Sequence, residues 1–408
     1  MDRFLAVVSL ALGAVPAALA RGARSLSRTW RFVRVPQLRA AELQPFPPPP
    51  LTFSLLAQVA MEHALMAVAM SPSRFPAASD LDRVADEVYA ARTLFGAEGW
   101  LDDPGSYHRT PPALEEDDLT WHRGRALGIA YEQMSFESRF APRSGEPGAR
   151  RWESYAANHV AAATIVRHRG AERPWLVCVH GFSMGYPVMD FAGLQTARLH
   201  REHGLNVALP VLPLHGPRKV TPLSGEPFLS FEMMNSVHGL AQSVWDVRRL
   251  VGWLRTQGAT SIGLYGVSLG GYVVSLLAGL DFGFEAVIAG IPVVDLPTLF
   301  SAHSPEPIRR RADRHGILGT GPEVAHHVVS PLAFETKVAQ DRRFIFAGYG
   351  DRMAFPSQAV RLWEHWNRPA ICWYAGSHVG YLWSRSVAGF LDGSLGAAGL
   401  AVSASQAE

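Results

Sequence analysis

Hydrophobic and polar positions follow two rhythms over the second half of the chain. Short, dense apolar runs at 175–180, 206–212, 261–265, 285–294, 343–349 and 370–374 predict strands, some of them buried on both faces. Between them lie segments with helical spacing. Over 237–257 the apolar residues are Val237, Leu240, Val244, Val247, Val251 and Leu254, and Gly258 is a suitable stop. Helices are likewise expected over 269–280 and 356–366. Two earlier strands are expected at 127–139 and 158–168, with a Gly/Pro-rich loop at 142–148 between them. Alternating strands and helices predict an α/β fold, with a mostly parallel sheet covered by helices on both faces.

The rhythm lapses over 296–335, where five prolines and Arg309, Arg310 and Arg311 predict a lid-like insertion over the sheet edge. Before 127 it is also weak. The proline run ending at Pro50 is too stiff for a helix interior and closes an N-terminal segment, 1–50. Residues 51–126 then read as a helical extension, beginning with an apolar helix over 51–70. The expected organisation is completed by a main domain over 127–395 and a flexible tail over 396–408.

Composition narrows the picture only slightly. A formal net charge of +2 at pH 7 gives no reason to expect a nucleic-acid partner. The 2 cysteines, Cys178 and Cys372, sit in strand-like runs and predict buried thiols, not a disulfide framework or metal site. The apolar run 4–20 has three readings: a membrane-contacting helix, a secretory signal, or a buried structural helix. It is followed by Arg21, Arg24, Arg28, Arg31, Arg34 and Arg39 with no acidic residue among them, a flank that tends to stay cytoplasmic. A cytoplasmic or membrane-associated location is therefore expected ahead of secretion.

Candidate chemistry centres on Gly266-Val267-Ser268-Leu269-Gly270, between the strand at 261–265 and the helix at 269–280. A tight strand-to-helix turn needs small residues on either side of the serine. It would lift the Ser268 hydroxyl from the sheet edge and point free helix N–H groups at it. An attacked carbonyl also needs donors for its oxyanion. The Leu269 N–H is well placed as one. The Phe182 N–H, in the turn His180-Gly181-Phe182 after another buried strand, is the natural second. His180 itself is expected to be a strand-end histidine bonded to backbone. Asp351 follows the strand at 343–349, and His378 lies in a Gly-Ser-His-Val-Gly turn after the last strand. An acid there can orient a histidine and stabilise its imidazolium. Asp295 is the competing acid, and Asp351 ranks first because one helix and one strand separate it from His378.

Together these motifs resemble the α/β-hydrolase superfamily of serine esterases and lipases, over 127–390. The resemblance implies an eight-strand, mostly parallel sheet and a triad in the order Ser268, Asp351, His378, acting without a cofactor or metal. The expected reaction is cleavage of a small acyl ester, with a lipid or other hydrophobic ester as one option, through an acyl-enzyme on Ser268. A peptidase or acyltransferase on the same triad, and a non-catalytic binding protein, are the alternatives. His215, Arg218 and Lys219 follow the strand at 206–212 and are candidates for contacting an anionic substrate group.

Overall fold

A computed structural model describes residues 25–48, 51–69, 78–170 and 172–401. Nine strands form one sheet, in the order β1-β2-β3-β5-β4-β6-β7-β8-β9. They are β1 (Thr120–Ala126), β2 (Ile129–Glu137), β3 (Val160–Val166), β4 (Trp175–Val179), β5 (Asn206–Pro210), β6 (Ile262–Val267), β7 (Val287–Gly290), β8 (Arg343–Gly348) and β9 (Ala370–Tyr374). From β5 to β9 the neighbours pair in parallel, while β1, β2, β3 and β5 pair antiparallel in turn. The α/β architecture expected from the alternation is the one observed.

The ninth strand is β1. It lies inside the segment read as a helical extension, so the sheet begins at Thr120 and not at 127. Thr120-Trp121-His122-Arg123-Gly124-Arg125 is largely exposed at the sheet edge, and it carries no apolar alternation to read. Leu127 and Gly128, both with positive φ, form the two-residue turn joining β1 to β2. The strand expected over 285–294 is also shorter. Ile291 has φ 41°, and Pro292 lacks an N–H, so pairing stops at Gly290.

Alternation of side chains about the sheet divides the core into two layers. Val177, Val179 and Leu264 point to one face, joined by Leu240, Val244, Val247, Val251 and Leu254 of the helix Met233–Thr256. Leu176, Cys178, Tyr265 and Val267 point to the other, against Val387, Leu391 and Leu395 of the helix Arg385–Ala397. This second layer corrects the expected tail: Ala398 and Leu400 are buried in it, so the chain is packed on the sheet as far as Leu400. Cys178 is buried and Cys372 half-buried, and both are free.

The segment 296–335 is more regular than its prolines suggest. It forms the helices Leu296–His303, Glu306–Arg314 and Thr320–His326, each with a proline in the first turn (Pro297, Pro307 and Pro322), where a missing N–H costs nothing. N-terminal to the sheet come helices over 25–34, Pro36–Leu43, Phe53–Ala69 and Ala78–Ala97. The last buries Leu81, Val84, Val88, Ala91 and Phe95 in the main core at helical spacing. No helix among the described residues is long and apolar enough to cross a membrane. The apolar run 4–20 lies outside the described residues.

Candidate active site

Ser268 occupies the junction of β6 and the helix Leu269–Leu280, with φ 56° and ψ −116°. A non-glycine residue held there is strained, and the surroundings must over-determine it. They do. The Ser268 N–H donates to Gly290 O at 2.9 Å, and its carbonyl accepts from Tyr272 and Val293 N–H at 3.1 and 3.3 Å. A Cβ on Gly266 would overlap the carbonyl of Gly270, and a Cβ on Gly270 would overlap the carbonyl of Val179. Both glycines are therefore required by space, as the motif implied. Gly181 closes on the same point: a Cβ there would lie 3.4 Å from Ser268 Cβ and 3.3 Å from Val267 O.

This approach brings the turn after β4 beside the turn after β6. Among the described residues, neither the Phe182 N–H nor the Leu269 N–H donates a hydrogen bond. His180 is fully buried and used by backbone at both ring nitrogens. Nδ1 lies 2.8 Å from Gly181 O, and Nε2 accepts from Leu212 N–H at 3.1 Å. It has no nitrogen left for Ser268.

Parallel pairing sets the remaining groups on one edge. Val267, Gly290, Phe346 and Cys372 stand in register across β6 to β9, so the turns after β6, β8 and β9 all leave at the same end. Asp351 and His378, from the last two of these turns, meet directly: His378 Nδ1 lies 2.7 Å from Asp351 Oδ2. Asp351 Oδ1 accepts from the N–H groups of Met353 and Ala354, at 2.9 and 2.8 Å. Burial disfavours the imidazolium of His378. The charge and hydrogen bond of Asp351, aided by Glu62, outweigh it and raise the pKa above the ordinary histidine value. Ser268 is half-buried and makes no hydrogen bond to His378 among the described residues. Catalytic hydrogen bonds are often long in unliganded enzymes and tighten with substrate.

Asp295 does other work. It caps the helix Leu296–His303, accepting from Thr298 N–H at 3.0 Å, and pairs with Arg361.

The candidates for anion binding are placed differently from expectation. Arg218 is 1% exposed and paired with Asp246 at 2.9 Å, with further bonds to Val211 O and Asn158 O. Its charge is consumed inside the core and cannot meet substrate. His215 is also buried, with Nδ1 2.8 Å from Pro213 O and its ring against His180, Phe182 and Phe228. It supports the Phe182 turn from behind. Only Lys219 is exposed, and it donates to Pro222 O at 3.3 Å.

One functional candidate was not read from the sequence. Glu62, from the helix Phe53–Ala69, is fully buried beside Asp351 and His378. The available signal was the one acid in a largely apolar helix, beside His63 and one turn from Gln58. Burial, then the charge of Asp351, raises its pKa to about 7. Among the described residues no group of three or more His, Cys, Asp or Glu side chains is placed to hold a metal ion.

Residues 240–370, which include the serine turn and Asp351, match the prolyl oligopeptidase family. The chain belongs to the α/β-hydrolase superfamily. Within it, this serine hydrolase belongs to one family with an uncharacterized protein of Mycobacterium tuberculosis (strain CDC 1551 / Oshkosh), 41% identical over 321 residues, which are 78% of this chain and 76% of the relative. Among solved structures the hydrolase is similar to an acetyl xylan esterase from Paenibacillus sp. R4, at 15% identity and TM-score 0.43, covering 68% of this chain and 93% of that one. It is similar also to a Mycobacterium tuberculosis puromycin-hydrolyzing peptidase, at 16% identity and TM-score 0.43, covering 70% and 46%.

Proposed function

We propose that the protein hydrolyses a carboxylic ester through an acyl-enzyme on Ser268. The carrying observation is the joint placement of a strained serine at a helix N-terminus, two unengaged N–H groups, and a hydrogen-bonded Asp351–His378 pair at one sheet edge. In this reading His378 Nε2 takes the proton of Ser268 as its oxygen attacks the carbonyl carbon. Asp351 holds Nδ1–H and stabilises the imidazolium. The N–H groups of Phe182 and Leu269 receive the oxyanion, and each such donor lowers the barrier by about 3 kcal/mol. His378 then protonates the departing alcohol. Water, deprotonated by His378, attacks the acyl carbon and frees Ser268 as the acid product leaves.

A hydrophobic acyl or alcohol group suits the surroundings. Tyr186, Val188 and Met189, which follow the Phe182 turn along the chain, are 38%, 55% and 45% exposed and leave apolar surface open to solvent there. Amide cleavage by the same groups is the second reading, favoured by the match to the prolyl oligopeptidase family.

Labelling with a fluorophosphonate, beside Ser268→Ala, tests the nucleophile. Wild type should label and the variant should not, and equal labelling of both would end the proposal. Rates on p-nitrophenyl esters of rising chain length, compared with peptide anilides, then decide the bond. Turnover of the anilides alone would replace the ester reading with the peptidase one.

A further inference from the structure

The N-terminal helix Phe53–Ala69 touches both halves of the acid–base pair, and it does so through two side chains one turn apart on the same face. Gln58 Oε1 accepts from the N–H of Ser377 at 3.0 Å, the residue before His378. Glu62 Oε2 accepts from the N–H of Arg352 at 2.8 Å, the residue after Asp351. The other carboxylate oxygen, Oε1, is buried, and the Ser377 hydroxyl, itself buried, is the side-chain donor that acts on this carboxylate. An ionised carboxylate is costly in that position, whereas a proton on Oε1 or a nearby imidazolium would relieve it.

The electrostatic surroundings of Glu62 are specific. From the turn after β8 it faces Asp351, and from β9 and the turn beyond it faces Tyr374 and His378. The Arg352 guanidinium is directed away, to Glu42 of the helix Pro36–Leu43. Around Arg352 stand His63, Arg28 and His303, and neither burial nor these cations leaves His63 or His303 protonated near neutrality, both being held at about 4. His378 is thus the group whose positive charge offsets that of Glu62.

We propose that Glu62 is a positioning residue and second carboxylate of the Asp351–His378 pair, carried in by the N-terminal helix, and that its charge sets the pH at which His378 becomes the free base. This rests on the reading of His378 as the general base. A neutral Glu62 lowers the affinity of His378 for its proton, and an ionised one raises it. The two ionisations are therefore linked and belong to the pair.

Glu62→Gln in the full chain separates charge from anchoring, because the amide can still accept from Arg352 N–H. Fluorophosphonate labelling rates across pH should show the acid limb of the variant about one unit lower than wild type. An unmoved limb would reduce Glu62 to an anchor and overturn the proposal. A parallel measurement needs no variant at position 62. The imidazole resonance of His378 in histidine-labelled protein, identified by its loss in His378→Gln, should titrate in two linked steps. A single step would overturn the linkage even if Glu62→Gln failed to fold. Absence of labelling in wild type at every pH would defeat the hydrolase reading instead, while the titration would still decide between linked and independent groups.

Discussion

Arg352 and Glu42 meet at 2.8 Å across the junction of the N-terminal helices and the loop that carries Asp351. The guanidinium is 7% exposed, 4.7 Å from the ring of Phe32 and 5.4 Å from that of Phe355. Glu42→Ala would leave this cation desolvated and unpaired. The expected loss is about 2 kcal/mol, less than for a fully buried pair because Glu42 keeps partial contact with water. Urea midpoints at unchanged m would measure it. A loss below a few tenths would mean the helices are held by their apolar contacts alone.

Gly270→Ala tests the serine turn without touching a reactive group. Its new Cβ would enter the space of the Val179 carbonyl, which is backbone in a central strand and cannot move aside. Destabilisation of about 3 kcal/mol is expected, together with loss of fluorophosphonate labelling in whatever protein folds. Labelling at the wild-type rate would show that the turn tolerates a side chain and that Ser268 is not held as described.

Asp351→Asn should preserve the loop, since an amide oxygen can still accept from Met353 and Ala354 N–H. The amide NH₂ would then face His378 Nδ1 and drive the proton to Nε2, the wrong tautomer for a base. On the proposed mechanism kcat falls on the order of 10⁴-fold with little change in melting temperature. A fall of less than about tenfold would remove Asp351 as the orienting acid.

Much of this site was legible because its chemistry depends on backbone turns, and turns write themselves in small residues. Gly181, Gly266 and Gly270 marked the turns around Ser268, and the strand-ending positions of Asp351 and His378 followed from the apolar runs before them. Burial by tertiary packing leaves no such mark. Arg218 looks like a solvated loop cation until Asp246, from a distant helix, is placed beside it. Glu62 is the single acid of a largely apolar helix, and only the packing of that helix on the loops after β8 and β9 gives it a role. The edge strand β1 was missed for the opposite reason, since exposure removes the apolar alternation on which strand recognition rests.

His326 gives a pH prediction with a definite sign. It is 2% exposed, its Nδ1 lies 2.9 Å from Pro322 O, and burial holds its pKa at about 4, below the ordinary histidine value of about 6.5. The folded protein keeps it neutral, so its stabilising share is complete above pH 6.5 and is lost as pH falls towards 4. Between pH 7 and pH 5 the loss is about 2 kcal/mol. Glu62 acts oppositely over part of this window, because a raised carboxyl pKa stabilises the folded state at low pH and loses that share as pH rises through about 7. The single-residue difference isolates His326: the stability deficit of His326→Gln should shrink by about 2 kcal/mol from pH 7 to pH 5. A constant deficit would show that His326 is protonated without penalty.

Arg218 decides whether the basic turn after β5 serves the fold or the substrate. Its pair with Asp246 is closed off from water, and Ser138 Oγ donates to the same carboxylate at 2.5 Å. Arg218→Ala would leave the buried Asp246 carboxylate with only the Ser138 hydroxyl and the more distant charge of Arg249, at a cost of about 3 kcal/mol. Replacing both partners, as Arg218→Met with Asp246→Leu, should recover most of that loss, because an apolar pair needs no desolvated counter-charge. Rates on neutral and anionic esters supply the discriminating readout. In the double variant their ratio should equal that of wild type, since the guanidinium lies within the core and not in the cleft. A selective loss of anionic turnover, with stability restored, would return Arg218 to the substrate site.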